Sequence, residues 1–403
     1  IWLQFGLLVD APDAGEDYQS GDVLLTAPGE RLDATLWEAE VLERMGREDE
    51  PGVQEQVVKY NHQVPTDFPD DALEQAANLP EVPDERDFQG RRDLRELPLV
   101  TIDGATAKDF DDAVYAERQG KGWRLWVAIA DVAHYVKSGS PMDREARERG
   151  NSYYFPQSVE PMFPERLSNG LCSLNPRVPR LAMVAMMDFG PAGQPGKAEF
   201  FPAVIQSHAR LTYEQVHRAL DLKDQDARHE MGGLLPMLES VEALARKLQA
   251  KRAKRGSLDF DLPEPEILFD VQGITRDIRP KERTFAHQLI EECMVAANEA
   301  VAEFLIERGA PCLYRIHPEP DEDKVRNLIQ LLERFEGKDR GADTAEITPQ
   351  LLQGLLKEFE GSRREYLVNR LLLRSMQQAK YSPENQGHFG LASECYCHFT
   401  SPI

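Results

Sequence analysis

Ten consecutive residues of this sequence hold four carboxylates: Asp103-Gly-Ala-Thr-Ala-Lys-Asp109-Phe-Asp111-Asp112. Carboxylates packed this densely repel one another, and they stay ionised together only where water or cations screen them. The stretch is therefore either a solvated acidic turn or a cradle for metal ions. Four Asp and no Glu fit the cradle, because a short arm fixes a hard oxygen donor of the kind that Mg²⁺ or Mn²⁺ takes. A calcium-binding EF-hand does not fit. Counted from Asp103, the positions that need carboxylate, carboxylate, glycine and glutamate are Ala105, Ala107, Lys108 and Val114. Two-ion phosphoryl chemistry stays open; there, ions about 3.5–4 Å apart stabilise the attacking and leaving oxygens.

A second group of residues could hold a nucleic-acid base. Asn151-Ser-Tyr-Tyr-Phe-Pro156 runs on to a Pro- and aromatic-rich stretch ending at Asn175. Its rings serve either a core beside turns or a stacking platform, where each stacked base is worth about 1–3 kcal/mol whatever its identity.

These residues need rigid mounts. The apolar run Leu97–Ile102 reads as a strand leading into the acidic stretch, and Gly122–Val132 as a strand inside a sheet. Leu181–Phe189 and Ala198–Ser207 flank a Gly/Pro-rich turn and predict a hairpin. Thr212 and Gln215 have capping-box spacing, which predicts a helix start. Helices are predicted over 238–255 and 285–308, the latter from Leu289, Ile290, Met294, Ala297, Val301, Phe304 and Leu305. Further helices are predicted over 69–77, 143–149, 323–335, 349–359 and 364–379, with Thr348 as N-cap before Pro349. Residues 1–60 read as strands of a small β module, and the polar, proline-containing stretch around 81–96 as a linker. The fold class is α+β.

At 403 residues, more than one domain is expected. No apolar run reaches the roughly eighteen residues of a membrane span, so no membrane partner is expected. The net charge of −23 is concentrated early: residues 1–92 hold 22 acidic and 7 basic residues. That balance excludes simple non-specific binding to nucleic acid but allows a local, metal-assisted channel in the remainder. Five cysteines without framework spacing suit reduced thiols and a cytoplasmic protein. Cys395-Tyr-Cys397-His398 has no second ligand pair at finger-like spacing, which argues against zinc.

Several ordered motifs carry a resemblance. Leu99-Val-Thr-Ile-Asp-Gly-Ala-Thr-Ala-Lys-Asp-Phe-Asp-Asp-Ala113 resembles the signature of the ribonuclease II/ribonuclease R exoribonucleases. So do Trp126–Val132, Leu167–Pro176, Ser207–Tyr213, Leu289–Asn298, His388–Leu391 and Phe399–Ile403. The likeness runs from about residue 93 to the last residue and is closest to the ribonuclease R branch. It implies an RNB-type catalytic domain over 97–403, preceded by a partial OB or cold-shock-like β-barrel over 1–80 and the linker over 81–96. It implies a monomer that degrades single-stranded RNA hydrolytically and processively from the 3′ end, releasing nucleoside 5′-monophosphates with two Mg²⁺ ions. By position, Asp103, Asp109, Asp111 and Asp112 match the family's catalytic and metal-binding aspartates. Tyr154 matches the ring that stacks on the terminal base, and Phe260 its opposite jaw. Tyr213 and Glu291 (or its neighbour Glu292) fall where the family contacts the ribose hydroxyl, the group that tells RNA from DNA. In the family, basic residues follow the Thr-Ser-Pro-Ile motif and an S1-type domain comes later, so the catalytic domain is expected to be incomplete at Ile403. The alternative is a non-catalytic RNA-binding or regulatory relative that kept the fold.

Overall fold

The apolar run Gly122–Ala130 becomes the middle strand of a seven-stranded sheet in the computed structural model of the chain. The structure describes residues 6–9, 18–260, 262, 264–271, 273–338, 340, 344 and 346–403; residues 1–5 and 10–17 of the expected β module lie outside them.

In chain order, β1 (Gly6–Val9), β2 (Asp22–Arg31) and β3 (Leu36–Arg47) precede α1 (Pro51–Asn61) and α2 (Asp70–Ala77). Then come β4 (Arg92–Leu94), β5 (Val100–Asp103), β6 (Asp112–Gln119), β7 (Gly122–Ala130), α3 (Val132–Tyr135) and α4 (Pro141–Arg149). A short ribbon, β8 (Tyr153–Tyr154) and β9 (Val159–Glu160), leads to β10 (Pro179–Phe189), β11 (Pro195–Gln206) and β12 (Ala209–Thr212). Next are α5 (Tyr213–Leu220), α6 (Gln225–Met231), α7 (Leu235–Arg255), the ribbon β13 (Pro265–Phe269) and β14 (Thr275–Pro280), and α8 (Phe285–Glu307). The series ends with β15 (Tyr314–Ile316), α9 (Glu322–Glu336), α10 (Pro349–Phe359), α11 (Glu365–Ser375) and β16 (Lys380–Ser382).

The chain divides into two compact units. The first comprises Ile1–Pro69, Glu145–Met162 and Glu264–Lys281. Its sheet runs β1-β3-β2, with β1 parallel and β2 antiparallel to β3. The structure corrects the reading of residues 1–60 as strands alone, because Pro51–Asn61 is helical. Pro51 opens the helix, Val53 is buried, and Lys59 reaches back one turn to Glu55 at 3.0 Å. Nearby, the guanidinium of Arg149 lies 3.7 Å from the Phe68 ring and donates to the carbonyls of Pro65 and Asp67.

The second unit comprises Asp70–Arg144, Phe163–Pro263 and Glu282–Ile403. Its sheet has the order β12-β5-β6-β7-β10-β11-β4. The hairpin predicted around residues 190–196 forms as β10 and β11, closed by Gly190 N donating to the Gln194 carbonyl. Within the stretch read as a linker, Asp84 caps a short turn and β4 pairs parallel to β11, so part of it is sheet. Its charged residues Arg92 and Asp93 lie on that edge strand, which tolerates them. One face of the sheet carries Val100, Ile102, Val114, Leu125, Val127 and Ile129 against Leu238, Val241, Leu244, Leu289, Cys293 and Ala297 of α7 and α8. Every second residue of each strand and every third or fourth of each helix supplies this core. A smaller cluster, with Val325, Ile329, Leu352, Leu355 and Leu372, joins α9, α10 and α11. The capping box at Thr212 and Gln215 is complete, and Thr348 caps α10.

His388 gives the second unit an acid-sensitive point. Burial, together with the His317 ring 5.1 Å away, pushes its imidazole from the usual 6.5 down to about 4. Its Nδ1 accepts from the Leu391 amide, and Tyr396 faces the ring at 5.3 Å. The unfolded chain takes up this proton first, so stability falls as pH drops from about 6.5 towards 4. His388→Gln is expected to flatten that limb in a series of thermal melts.

Candidate active site at the end of the central sheet

Three neighbouring strands bring the acidic stretch together. Asp103 is the last residue of β5 and Asp112 the first of β6; β12 runs parallel to β5 with Thr212 opposite Asp103. Tyr213 opens α5 immediately after β12. The loop between β5 and β6 therefore emerges at one end of the sheet, beside a helix N-terminus.

The loop is braced by its own backbone. Ser173 Oγ accepts from the Phe110 amide at 3.0 Å and donates to the Lys108 carbonyl at 2.7 Å. The Leu174 amide donates to the Phe110 carbonyl at 2.9 Å, and the Ala130 amide to that of Asp111 at 2.9 Å. Phe110 is buried, and Arg210 lies 5.0 Å from its ring while Nη2 donates to the Ala105 and Ala107 carbonyls at 2.6 and 3.2 Å. Arg180, also buried, donates to the carbonyls of Ser173, Gly170 and Pro179 and so fixes the shape of the bracing loop.

The carboxylates are pressed into low dielectric. Burial pushes Asp103 up to about 6, helped by the charge of Asp109 and opposed by Arg210. Burial likewise takes Asp111 to about 7 despite a 3.0 Å hydrogen bond from the Ile403 amide to its Oδ1. Asp112 is raised well above the ordinary carboxylate value, first by burial and then by Asp103 and Asp111. Asp103 Oδ2 is buried without a hydrogen-bond partner. Among the described residues no group of three or more His, Cys, Asp or Glu side chains is placed so that it could hold a metal ion. Even so, these aspartates feel one another's charge, and an orphaned, anionic oxygen in a desolvated site is what a hard divalent cation satisfies.

The other predicted residues fall in several places. Tyr213 is half-buried, stacks on His287 with ring centroids 4.0 Å apart, and has its hydroxyl pushed up by burial and by Asp103 and Asp112. That places it beside the acidic cluster. Glu291 is held by Arg252 at 2.9 Å and Arg283 at 2.5 Å. Its neighbour Glu292 is 2% exposed and bonded to Arg252 at 2.7 Å. Phe260 packs on the cluster of α9, α10 and α11. Tyr154 lies on β8 in the first unit, with 67% of its surface exposed.

Residues 91–403 match the RNB domain family. The chain belongs to that family. A ribonuclease R from Vibrio cholerae is 44% identical over 364 residues, covering 90% of this chain and 44% of that relative. A ribonuclease R from Escherichia coli is 43% identical with the same coverage, so the chain spans under half the length of these relatives. Mycoplasma genitalium RNase R, solved with ribose-methylated single-stranded RNA, superposes with a TM-score of 0.89 at 31% identity, covering 100% of this chain and 62% of that one. A yeast pseudonuclease shares the fold at 17% identity and a TM-score of 0.70.

Ser173, Arg210 and Asn298 were not singled out by sequence reasoning. Each sits inside a family-like motif; Ser173 and Arg210 are polar residues between apolar neighbours, and that contrast is the signal that marks them. No helix among the described residues is long and apolar enough to cross a membrane.

Proposed function

We propose that the complete protein is a 3′-to-5′ exoribonuclease that degrades single-stranded RNA processively to nucleoside 5′-monophosphates. We further propose that Asp103, Asp109, Asp111 and Asp112 hold two Mg²⁺ ions, with Mn²⁺ as a substitute, and that the protein works as a cytoplasmic monomer. The observation that carries this reading is the braced, desolvated aspartate cluster with its unpartnered Asp103 oxygen. The ribonuclease R relatives and the RNA-bound Mycoplasma genitalium structure support it.

When bound, the ions would neutralise the aspartates and polarise the scissile phosphate. The chain's own residues do the rest. The aspartates, kept in place by Ser173 and Arg210, present their oxygens from a rigid loop end. Tyr213 and Glu291 are proposed to contact the terminal ribose, and Tyr154 and Phe260 its base. Water attacks phosphorus, the bond to the 3′ oxygen breaks, that oxygen takes a proton, and a 5′-monophosphate leaves.

The test is a matched pair of RNA and DNA oligonucleotides in Mg²⁺. RNA alone is expected to be consumed; equal turnover of DNA would overturn the ribose contacts. Tyr154→Ala is expected to weaken binding of a short oligoribonucleotide in EDTA by about 1–3 kcal/mol, the range for one stacked base, measured by fluorescence titration. The yeast pseudonuclease makes a binding-only relative the rival reading. The presence of all four aspartates favours catalysis.

A further inference from the structure

We propose that Asn298 is a positioning residue for Asp111, acting through the segment Tyr396–Ile403. The inference rests on the metal-dependent reading of the site given above.

Asn298 is buried on α8, one turn before Ala302, which packs with Cys395 and Cys397. Its side-chain Nδ2 donates to Tyr396 Oη and to Thr400 Oγ1, both at 3.0 Å. Its Oδ1 accepts from the Thr400 amide at 3.1 Å. That last bond settles which end of the amide is which, because a backbone N–H can only donate. The Asn298 carbonyl also accepts from Cys397 Sγ at 3.4 Å. One side chain and its own carbonyl thus pin three residues of the segment.

The pin is transmitted to the site over a short, stiff path. Thr400 is held on both its amide and its hydroxyl. Pro402 has a fixed φ and drives Ser401 towards extended backbone. Little torsional freedom is left before Ile403, whose amide donates to Asp111 Oδ1 at 3.0 Å. Ile403 is itself 8% exposed. A buried carboxylate that must act as an anion needs a donor at a fixed place, and Asn298 fixes that place through Thr400, 102 residues away in sequence.

The experiment uses the complete protein with three variants: Asn298→Ala, Thr400→Val and Thr400→Ser. Amide hydrogen exchange across 399–403 is read in EDTA, Mn²⁺ affinity is read by calorimetry, and kcat and KM are read on an oligoribonucleotide. Asn298→Ala and Thr400→Val are expected to exchange faster and to bind Mn²⁺ about 10–100-fold more weakly, the usual effect of removing a ligand's support. They should lower kcat with little change in KM. Thr400→Ser keeps the hydroxyl and should behave as wild type. If Asn298→Ala does not fold, the Val and Ser variants decide. Folded variants that bind Mn²⁺ within about twofold of a Mn²⁺-binding wild type would overturn this inference alone. A wild type that takes up no Mn²⁺ would overturn the metal reading and this inference together.

Discussion

Asp111→Asn is expected to remove RNA degradation while making the metal-free protein more stable. The two effects have one origin. Asp111 is buried and repelled by Asp109 and Asp103, which together with desolvation hold its carboxyl near 7 instead of the ordinary 3.8. A group whose folded value is raised contributes stability below its unfolded value, and that contribution is lost as pH rises through the folded value. Asp103, raised to about 6, and Asp112 act in the same sense. The wild-type protein in EDTA is therefore expected to lose Tm between about pH 5 and 8, and divalent cations should restore it. The neutral amide removes one of the repelling charges, keeps an oxygen for the Ile403 amide, and flattens this slope. The same change withdraws a negative donor from the metal. Loss of one such electrostatic contact lowers turnover by about 10²–10³-fold or more. Differential scanning fluorimetry in EDTA and in Mg²⁺, run beside a turnover assay, checks both signs. A variant that is less stable in EDTA at pH 8 would contradict the electrostatic origin.

Arg252→Ala is expected to be the most damaging single change to stability in the second unit. Arg252 bridges Glu291 and Glu292, and its Nε and Nη2 both bond Glu292 Oε1, at 2.9 and 2.7 Å. Burial raises the Glu292 carboxyl above its ordinary value even with that guanidinium against it. Removing the arginine leaves a carboxylate that is 2% exposed without its counter-charge. Breaking a buried pair in this way costs about 3–5 kcal/mol, whereas replacing both partners by apolar residues is often neutral. Arg252→Met with Glu292→Leu should therefore recover most of the loss in urea denaturation. A single variant as stable as wild type would show that the pair is solvated. Glu291 also loses one of its two arginines in the single variant, so RNA affinity should fall alongside stability.

Local pattern carried much of the fold. The strand before Asp103, the hairpin around residues 190–196, the capping box at Thr212 and the spacing of α8 are contained within a few neighbouring residues and were readable there. Pairing across distance was not. Nothing near Ala209–Thr212 says that it lies parallel to β5, yet that pairing sets Tyr213 beside Asp103. Arg210 reaches Ala105 across 105 residues, and Asn298 reaches Thr400 across 102. Such contacts follow from the folded sheet and helices together, so sequence spacing marks the residues without naming their partners. In α1 a proline start with a Glu55–Lys59 turn forms a helix inside the stretch read as strands. The aspartates were legible because their chemistry is written in consecutive residues. Their support was not, because it comes from β10, β12, α8 and the segment ending at Ile403.

The most direct measurement is the shortening of a 5′-labelled oligoribonucleotide by the complete protein, with Mg²⁺ or EDTA, for wild type and Asp111→Asn. The expected result is a ladder that shortens from the 3′ end, releases nucleoside 5′-monophosphates, and appears only for wild type in Mg²⁺. An intact oligonucleotide with wild type in Mg²⁺, or equal shortening by the Asn variant, would contradict the assignment of the aspartate cluster as the catalytic site.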